Sequence, residues 1–131
     1  MAPTILVVDD EPDLVTNCQR LLRPLGYVCL GASTAAEAMA LIDREAPDLV
    51  VTDLRLPGAD GLAVARHARA RVPPIPVILI SADDAAGSRE AARATGVGAF
   101  LTKPFPNALF LEAVRRVLER RVPGPGGGLA P

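Results

Sequence analysis

Aromatic residues are scarce in this sequence, which holds three Phe, one Tyr and no Trp among its 131 residues. Half of the residues are nevertheless hydrophobic, so a core has to be built mainly from Val, Leu, Ile and Ala. Aliphatic cores of this kind suit a parallel sheet that helices cover on both faces. The apolar content also excludes a chain that is disordered over most of its length.

The sequence also lacks an excess of charge of either sign, because its formal net charge is −1. Without a basic excess or a long run of like charges, we expect no direct binding to nucleic acid. Cysteine is rare too, and neither Cys18 nor Cys29 has the spacing of a metal ligand or of a CxxC motif. We interpret the two thiols as a reduced pair in the core of a cytoplasmic protein.

No apolar run approaches the ~20 residues that a membrane span requires. The N-terminal segment MAPTILVVDDE has a short apolar run that acidic residues follow at once, which is not the pattern of a signal peptide. We therefore predict a cytoplasmic protein without membrane contact. The length predicts one folded domain over 1–121, and the Pro- and Gly-rich segment 122–131 is typical of a flexible tail or the start of a linker.

The sequence does contain a regular alternation of short apolar runs with helical patterns. The predicted strands cover 4–8, 27–30, 48–52, 76–80 and 98–101. The predicted helices begin at Pro12, after the capping box of Thr34 and Glu37, at 62, at about 85 and after Pro106. This βα alternation predicts an α/β fold with a parallel sheet and right-handed crossovers. His67, the only histidine, lies in an arginine-rich stretch and is predicted to be a solvated surface residue.

Reactive polar side chains follow four of these strands: Asp9 with Asp10, then Asp53, Ser81 and Lys103. In an open α/β sheet, ligands bind at the carboxyl ends of the strands. One Asp after a strand would indicate only a helix cap. Four such strand ends together predict one shared site.

The electrostatics of such a site predict a bound cation. Three carboxylates close together raise one another's pKa, and a metal ion and the Lys103 ammonium would offset that repulsion. An all-oxygen site with few protein ligands suits Mg²⁺. Mg²⁺ in turn suits phosphoryl transfer, and an Asp carboxylate can itself be the nucleophile that forms an aspartyl phosphate.

The sequence resembles the receiver domains of response regulators. The resemblance covers about 4–121 and rests on LVVDDE, VVTDLRLPGADGL, VILISA and FLTKPF, in this order and spacing. It implies a doubly wound, flavodoxin-like fold whose five parallel strands have the order 2-1-3-4-5, one of the common orders of doubly wound sheets. It also implies a cis peptide bond between Lys103 and Pro104.

The resemblance assigns a role to each residue of the predicted site. Asp53 would be the phosphoacceptor and a metal ligand. Asp10 would bind Mg²⁺ directly, Asp9 would help to place the ion through water, and the backbone carbonyl of Arg55 would be a further ligand.

Three residues would act on the phosphoryl group or respond to it. Ser81 and Lys103 would contact the phosphoryl oxygens. Phe100 matches an aromatic switch position that turns inward when Ser81 moves, although it has no hydroxyl for a switch that needs one.

The same resemblance implies a signalling protein and its partners. A histidine kinase or a histidine phosphotransfer protein would donate the phosphoryl group, and the chain would catalyse only the gain and loss of its own phosphate. A downstream effector domain or protein would respond to the phosphorylated state. The surface of the fourth helix, fifth strand and fifth helix is where a partner or a second receiver would bind, giving a homodimer in the second case.

Two other functions fit parts of the pattern. A pseudo-receiver would bind partners without phosphate, but such modules typically lose an acid or the Lys, and all are present here. A metal-dependent phosphatase with an Asp nucleophile would need a substrate pocket or cap, for which the short predicted loops leave no room. Turnover of a small phosphate ester would favour that third function.

Overall fold

The computed structural model describes residues 2–82 and 86–120. Within them a five-stranded sheet is formed by Thr4–Val8 (β1), Val28–Ala32 (β2), Leu49–Asp53 (β3), Val77–Ser81 (β4) and Ala99–Thr102 (β5). The α-helices that alternate with these strands are Pro12–Leu22 (α1), Ala35–Glu45 (α2), Gly61–Arg69 (α3), Ala86–Thr95 (α4) and Asn107–Arg120 (α5). The predicted succession of strands and helices is confirmed.

The five strands are parallel and lie in the order β2-β1-β3-β4-β5. This is the order that the resemblance implied, and the predicted α/β class is confirmed with it. Because all strands run the same way, their carboxyl ends meet at one edge of the sheet. β1 and β3 are neighbours in the middle of the sheet, and β4 lies between β3 and β5.

Helices cover both faces of the sheet, as the aliphatic composition predicted. Buried residues of α1 and α5, among them Cys18 and Phe110, pack on the face that carries Ile5, Val51 and Ile80. Buried residues of α2 and α3 pack on the opposite face. On that second face, Ala92 of α4 contacts Leu54 and Leu79, with Phe100 packed against them.

The helix starts follow local chemistry that is visible in the sequence. Pro12 opens α1, and the Thr34 side chain accepts a hydrogen bond from the backbone N–H of Glu37 at 3.1 Å. In a capping box the Glu37 carboxylate would accept from the backbone N–H of Thr34. Here it accepts instead from the N–H of Ser33, one residue earlier, at 2.9 Å. Pro24 ends α1 in a 3₁₀ turn over Arg23–Leu25.

One feature that the sequence did not predict is a small antiparallel hairpin after β3. Arg55–Leu56 pairs with Ala59–Asp60, and Asp60 then caps α3 by accepting from the N–H of Ala63 at 3.1 Å. Each hairpin strand has two residues, which is too short for a period-two pattern to be visible in the sequence.

His67 is more engaged than predicted. Its ring lies 2.8 Å from the Asp43 carboxylate of α2, which also contacts Arg71 at 2.9 Å. Its side chain is one-third exposed, which fits the predicted surface position, but sequence spacing gave no sign of this partner on another helix. Of the two cysteines predicted to be core, Cys18 is buried, Cys29 is half-buried, and both are free thiols.

Among the residues that the structure describes, no helix is both long enough and apolar enough to span a bilayer. The limits 1–121 and 122–131 stay predictions, because the predicted tail lies outside the described residues.

Candidate functional site

The side chains predicted to share a site lie at the carboxyl edge of the sheet. Asp9 follows β1, Asp53 ends β3, Ser81 ends β4 and Lys103 follows β5. The backbone also joins the last two, since the N–H of Lys103 donates to the carbonyl of Ser81 at 2.7 Å. The parallel strands therefore bring residues that are far apart in sequence to one place.

Lys103 is the only lysine of the chain and holds the acidic residues of the site together. Its Nζ lies 2.9 Å from Asp9 Oδ2, 2.9 Å from Asp53 Oδ2 and 2.8 Å from Glu11 Oε1. Burial by itself would lower the pKa of Lys103, but the hydrogen bonds to Glu11 and Asp53 and the ion-pair contact with Asp9 outweigh it and raise that pKa. The ammonium is thus firmly charged and faces three acids.

Three carboxylates of this edge lie close enough to share one ion. Asp9, Asp10 and Asp53 each offer an oxygen, and these oxygens all lie within 4.8 Å of one another. Asp10 is exposed, whereas Asp9 and Asp53 are buried. An exposed acid beside two buried ones leaves an open side through which an ion or a phosphodonor can approach.

Asp9 is held in an unfavourable environment for a charged carboxylate. Its Oδ1 accepts from the N–H of Glu11 at 2.9 Å. Its buried Oδ2 lies at ion-pair distance from Lys103 but receives no well-oriented hydrogen bond from the described residues. Burial, with the charge of Asp53 as a lesser cause, raises the pKa of Asp9 despite the opposing effects of Glu11 and Lys103. An oxygen in this state is a natural ligand for a cation.

The Asp53 carboxylate is fixed at both oxygens. Oδ1 accepts from the backbone N–H of Arg55 at 3.0 Å, and Oδ2 accepts from Lys103 at 2.9 Å. Its backbone is confined as well, because Gly61 packs so closely that a Cβ there would overlap the carbonyl oxygen of Asp53. Gly61 also donates its N–H to the carbonyl of Leu54 at 2.5 Å. The strand end, hairpin and start of α3 therefore form one tight unit around Asp53.

Ser81 and Phe100 lie on the side of the site toward β5. Ser81 is buried and stands opposite Thr102 in the register of β4 and β5, and Phe100 stands opposite Leu79. Phe100 is half-buried. The Lys103–Pro104 peptide bond is cis, as the resemblance implied, and a second cis bond, Val72–Pro73, was not predicted.

Sequence reasoning missed two residues of the site. In the sequence Glu11 is only a member of the acidic run, yet in the fold it is one of the three partners of Lys103. Gly61 has the pattern of an ordinary loop glycine, although its place against Asp53 tolerates no side chain. Neither role has a local signal, because each depends on a contact across the fold.

The comparisons with known proteins agree with this geometry. The family described as "Response regulator receiver domain" matches residues 5–115. The chain is 34% identical over 120 residues to the transcriptional regulatory protein PrrA of Mycobacterium tuberculosis, covering 92% of this chain and 52% of PrrA. It is 38% identical over 117 residues to the probable transcriptional regulatory protein TcrX of the same organism, covering 89% of this chain and 50% of TcrX.

Among solved structures, the non-phosphorylated HemR receiver domain from Leptospira biflexa superposes with a TM-score of 0.85 at 32% identity, over 93% of this chain and 98% of that one. The chain therefore belongs to the receiver domain family of two-component response regulators. It spans about half the length of the curated relatives it matches.

Membership brings general properties of the family. Receiver domains generally bind Mg²⁺ at an acidic pocket, and such a cluster of Asp residues is present here. They have histidine kinases as partners and act on effector domains. As signalling modules, they are generally not true enzymes.

Proposed function

We propose that this chain is a phosphorylation-controlled switch in which Asp53 accepts the phosphoryl group. The observation that carries the proposal is the setting of the Asp53 carboxylate. It is buried at a strand end, one oxygen is bound by the Arg55 N–H, and the other is bound by Lys103. Two further carboxylates stand within ligand distance.

The reaction proposed is transfer from a phosphohistidine of a histidine kinase or phosphotransfer protein. A carboxylate oxygen of Asp53 attacks phosphorus, a P–O bond forms, the P–N bond breaks, and the imidazole leaves. Lys103, already hydrogen-bonded to Asp53, keeps its positive charge beside the phosphoryl oxygens. Orientation of the nucleophile and neutralisation of charge are the main requirements of such a transfer.

The residues of the acidic cluster fit Mg²⁺. The donors are all oxygens, and the buried Asp9 Oδ2 lacks a well-oriented hydrogen bond from the described residues. Asp10, Asp53 and the carbonyl of Arg55 would bind the ion directly, and Asp9 would act through water. Bound there, Mg²⁺ would supply positive charge to the phosphoryl oxygens.

The response proposed is a change in the surface beside β5. Ser81 would engage the new phosphoryl group, and Phe100 would turn inward toward the space that the Ser81 movement opens. The acyl phosphate then biases an equilibrium between two conformations. An effector domain or protein would bind according to this state, and two receivers could pair through the surface of α4, β5 and α5.

The cytoplasmic location and the absence of direct nucleic-acid and membrane binding stay predictions. The relatives named above are described as transcriptional regulatory proteins. For this chain, a transcriptional output is proposed only through an effector that responds to the receiver.

The test is phosphorylation by a small donor. The protein is incubated with Mg²⁺ and acetyl phosphate, and its intact mass is compared with that of Asp53→Asn and of Asp13→Asn, an exposed acid of α1. We expect one phosphoryl group on the wild type and on Asp13→Asn, none on Asp53→Asn, and none when EDTA precedes the donor. A gain by Asp53→Asn equal to the wild type would refute the assignment.

The same samples separate the rival functions. A pseudo-receiver would gain no mass and would bind no beryllofluoride, a stable mimic of the phosphoryl group. A phosphatase would turn over p-nitrophenyl phosphate many times per chain, whereas the proposed switch would not.

A further inference from the structure

Arg89, on α4, contacts two side chains of β5. Its guanidinium carbon lies 4.8 Å from the centroid of the Phe100 ring, and its Nη2 donates to Thr102 Oγ1 at 3.3 Å. The first contact is a cation–π interaction and the second is a charge-assisted hydrogen bond. One exposed arginine thus bridges a helix and a strand.

The two contacts fall on the part of β5 closest to the site. Phe100 and Thr102 are alternate residues of a strand, so their side chains share one face of the sheet. That face is the one α4 covers, since Ala92 packs there with Leu79. Thr102 is the register partner of Ser81, and Lys103 follows it. Arg89 therefore contacts the strand that carries Phe100, and its contact with Thr102 is one residue away from Lys103 of the charged site.

We propose that Arg89 is a positioning residue that holds Phe100 in its resting orientation and so sets how readily the domain switches. The proposal rests on the function proposed above, in which Phe100 turns inward on phosphorylation. An inward turn takes the ring away from the guanidinium. The contact then stabilises the resting conformation alone, which is the condition for shifting an equilibrium between two states.

The size of the effect is limited by solvent. Arg89 is exposed and Phe100 is half-buried, and a cation–π contact in such a place is worth about a two- to fivefold bias in population. Losing it should therefore adjust the switch without abolishing it. Asp53, Lys103 and the acidic cluster stay untouched.

The chain offers a direct probe, because its three Phe residues are Phe100, Phe105 and Phe110. Protein labelled with 4-fluorophenylalanine gives one fluorine signal from each ring, and Phe100→Leu identifies the Phe100 signal. The variants are Arg89→Met, which keeps the apolar stem, and Arg89→Lys, which keeps the charge. The matched control is Arg93→Met, one turn along α4, where Arg93 pairs with Glu90 at 3.0 Å.

In wild type, Mg²⁺ and beryllofluoride should move the Phe100 signal. Without beryllofluoride, Arg89→Met should already displace that signal toward the activated position, Arg89→Lys should restore most of the resting position, and Arg93→Met should match wild type. The initial rate of phosphorylation by acetyl phosphate should rise about two- to fivefold in Arg89→Met only. Thermal unfolding of all variants shows whether a change reflects stability alone.

The two proposals fail in different ways. If wild type binds no beryllofluoride, as seen from the fluorine signal of the bound complex itself, the proposed function is refuted and this inference with it. If wild type responds but Arg89→Met behaves like Arg93→Met in both signal and rate, the switch stands and the role of Arg89 is refuted.

Discussion

At the scale of single residues, the pKa values of Lys103 and Asp9 are both raised, but for different physical reasons. Lys103 has three carboxylates around it, and its pKa is raised because its interactions with them outweigh burial. Asp9 shares that lysine with Asp53 and Glu11 and is nearly fully buried, at 1% exposure. One ammonium does not compensate all three acids, so the burial of Asp9 dominates and its pKa is raised.

The raised pKa of Asp9 predicts that its charge destabilises the metal-free fold at neutral pH. A group whose pKa is higher in the folded state contributes stability below its unfolded pKa, near 3.8, and loses that contribution as the pH rises through the folded value. We therefore expect Asp9→Asn to unfold at a higher temperature than wild type at pH 7 in EDTA.

The difference between the two proteins should shrink as the pH falls through the raised pKa of folded Asp9 toward the unfolded value near 3.8, and below that value it should vanish because the carboxyl group is protonated in both states. Thermal unfolding followed by circular dichroism across this range measures it. An Asp9→Asn variant that is less stable at every pH would show that the Lys103 contact, and not burial, controls Asp9.

Gly61 carries a second prediction at this scale. A methyl group there would overlap the carbonyl oxygen of Asp53, so Gly61→Ala should displace the strand end and cost about 1 to 3 kcal/mol. Gly87, an exposed glycine of α4, has no atom within 4 Å of the place that a methyl group would take, and it is the matched control.

Gly87→Ala should leave stability unchanged or increase it by up to about 1 kcal/mol. Urea unfolding of wild type, Gly61→Ala and Gly87→Ala gives the change in the free energy of unfolding for each substitution. Equal effects of the two substitutions would contradict the close packing of Gly61 against Asp53.

At the scale of elements, helix ends obey local rules that the sequence reveals. Pro12 and the Thr34 cap each lie where the sequence predicted the start of a helix. Strand limits were less well predicted, because a continuous apolar run does not mark its own ends. The predicted 27–30 and 98–101 are shifted in the structure to Val28–Ala32 and Ala99–Thr102.

The end of α2 gives a prediction for this scale. Ala46 caps the helix with a φ of 45°, a left-handed conformation that strains an L-residue with a side chain. Ala46→Gly should therefore stabilise the domain by about 0.5 to 1 kcal/mol after the extra freedom of unfolded glycine is subtracted.

Ala40, exposed in the middle of the same helix, supplies the opposite case. Ala40→Gly should cost about 0.5 to 1 kcal/mol, because there the added freedom of glycine has no strain to offset it. Chemical unfolding measures the change in stability of Ala46→Gly and of Ala40→Gly. A loss of stability in both variants would mean that the backbone of Ala46 is unstrained.

At the scale of the whole molecule, the parallel sheet determines where the residues of the candidate site lie. Asp9, Asp53, Ser81 and Lys103 follow strands whose carboxyl ends meet, so the alternation of strands and helices predicted both the fold and the place of the site. The aliphatic core also followed from the sequence, since so few aromatic residues were available.

What the sequence could not reveal are contacts between distant elements. Glu11 with Lys103, Gly61 with Asp53, Asp43 with His67 and Arg89 with Phe100 each join residues of different elements. Their geometry depends on the packing of helices against the sheet, which periodicity and capping motifs do not encode.

The most direct test of the central claim is to locate the phosphoryl group on the chain. The protein is phosphorylated with acetyl phosphate and Mg²⁺, the acyl phosphate is reduced with borohydride to an alcohol, and the peptides are sequenced by mass spectrometry. The account predicts that Asp53 is recovered as homoserine and that Asp9, Asp10 and Asp60 are recovered as unchanged aspartate. Homoserine in place of another acid, with Asp53 unmodified, would contradict it.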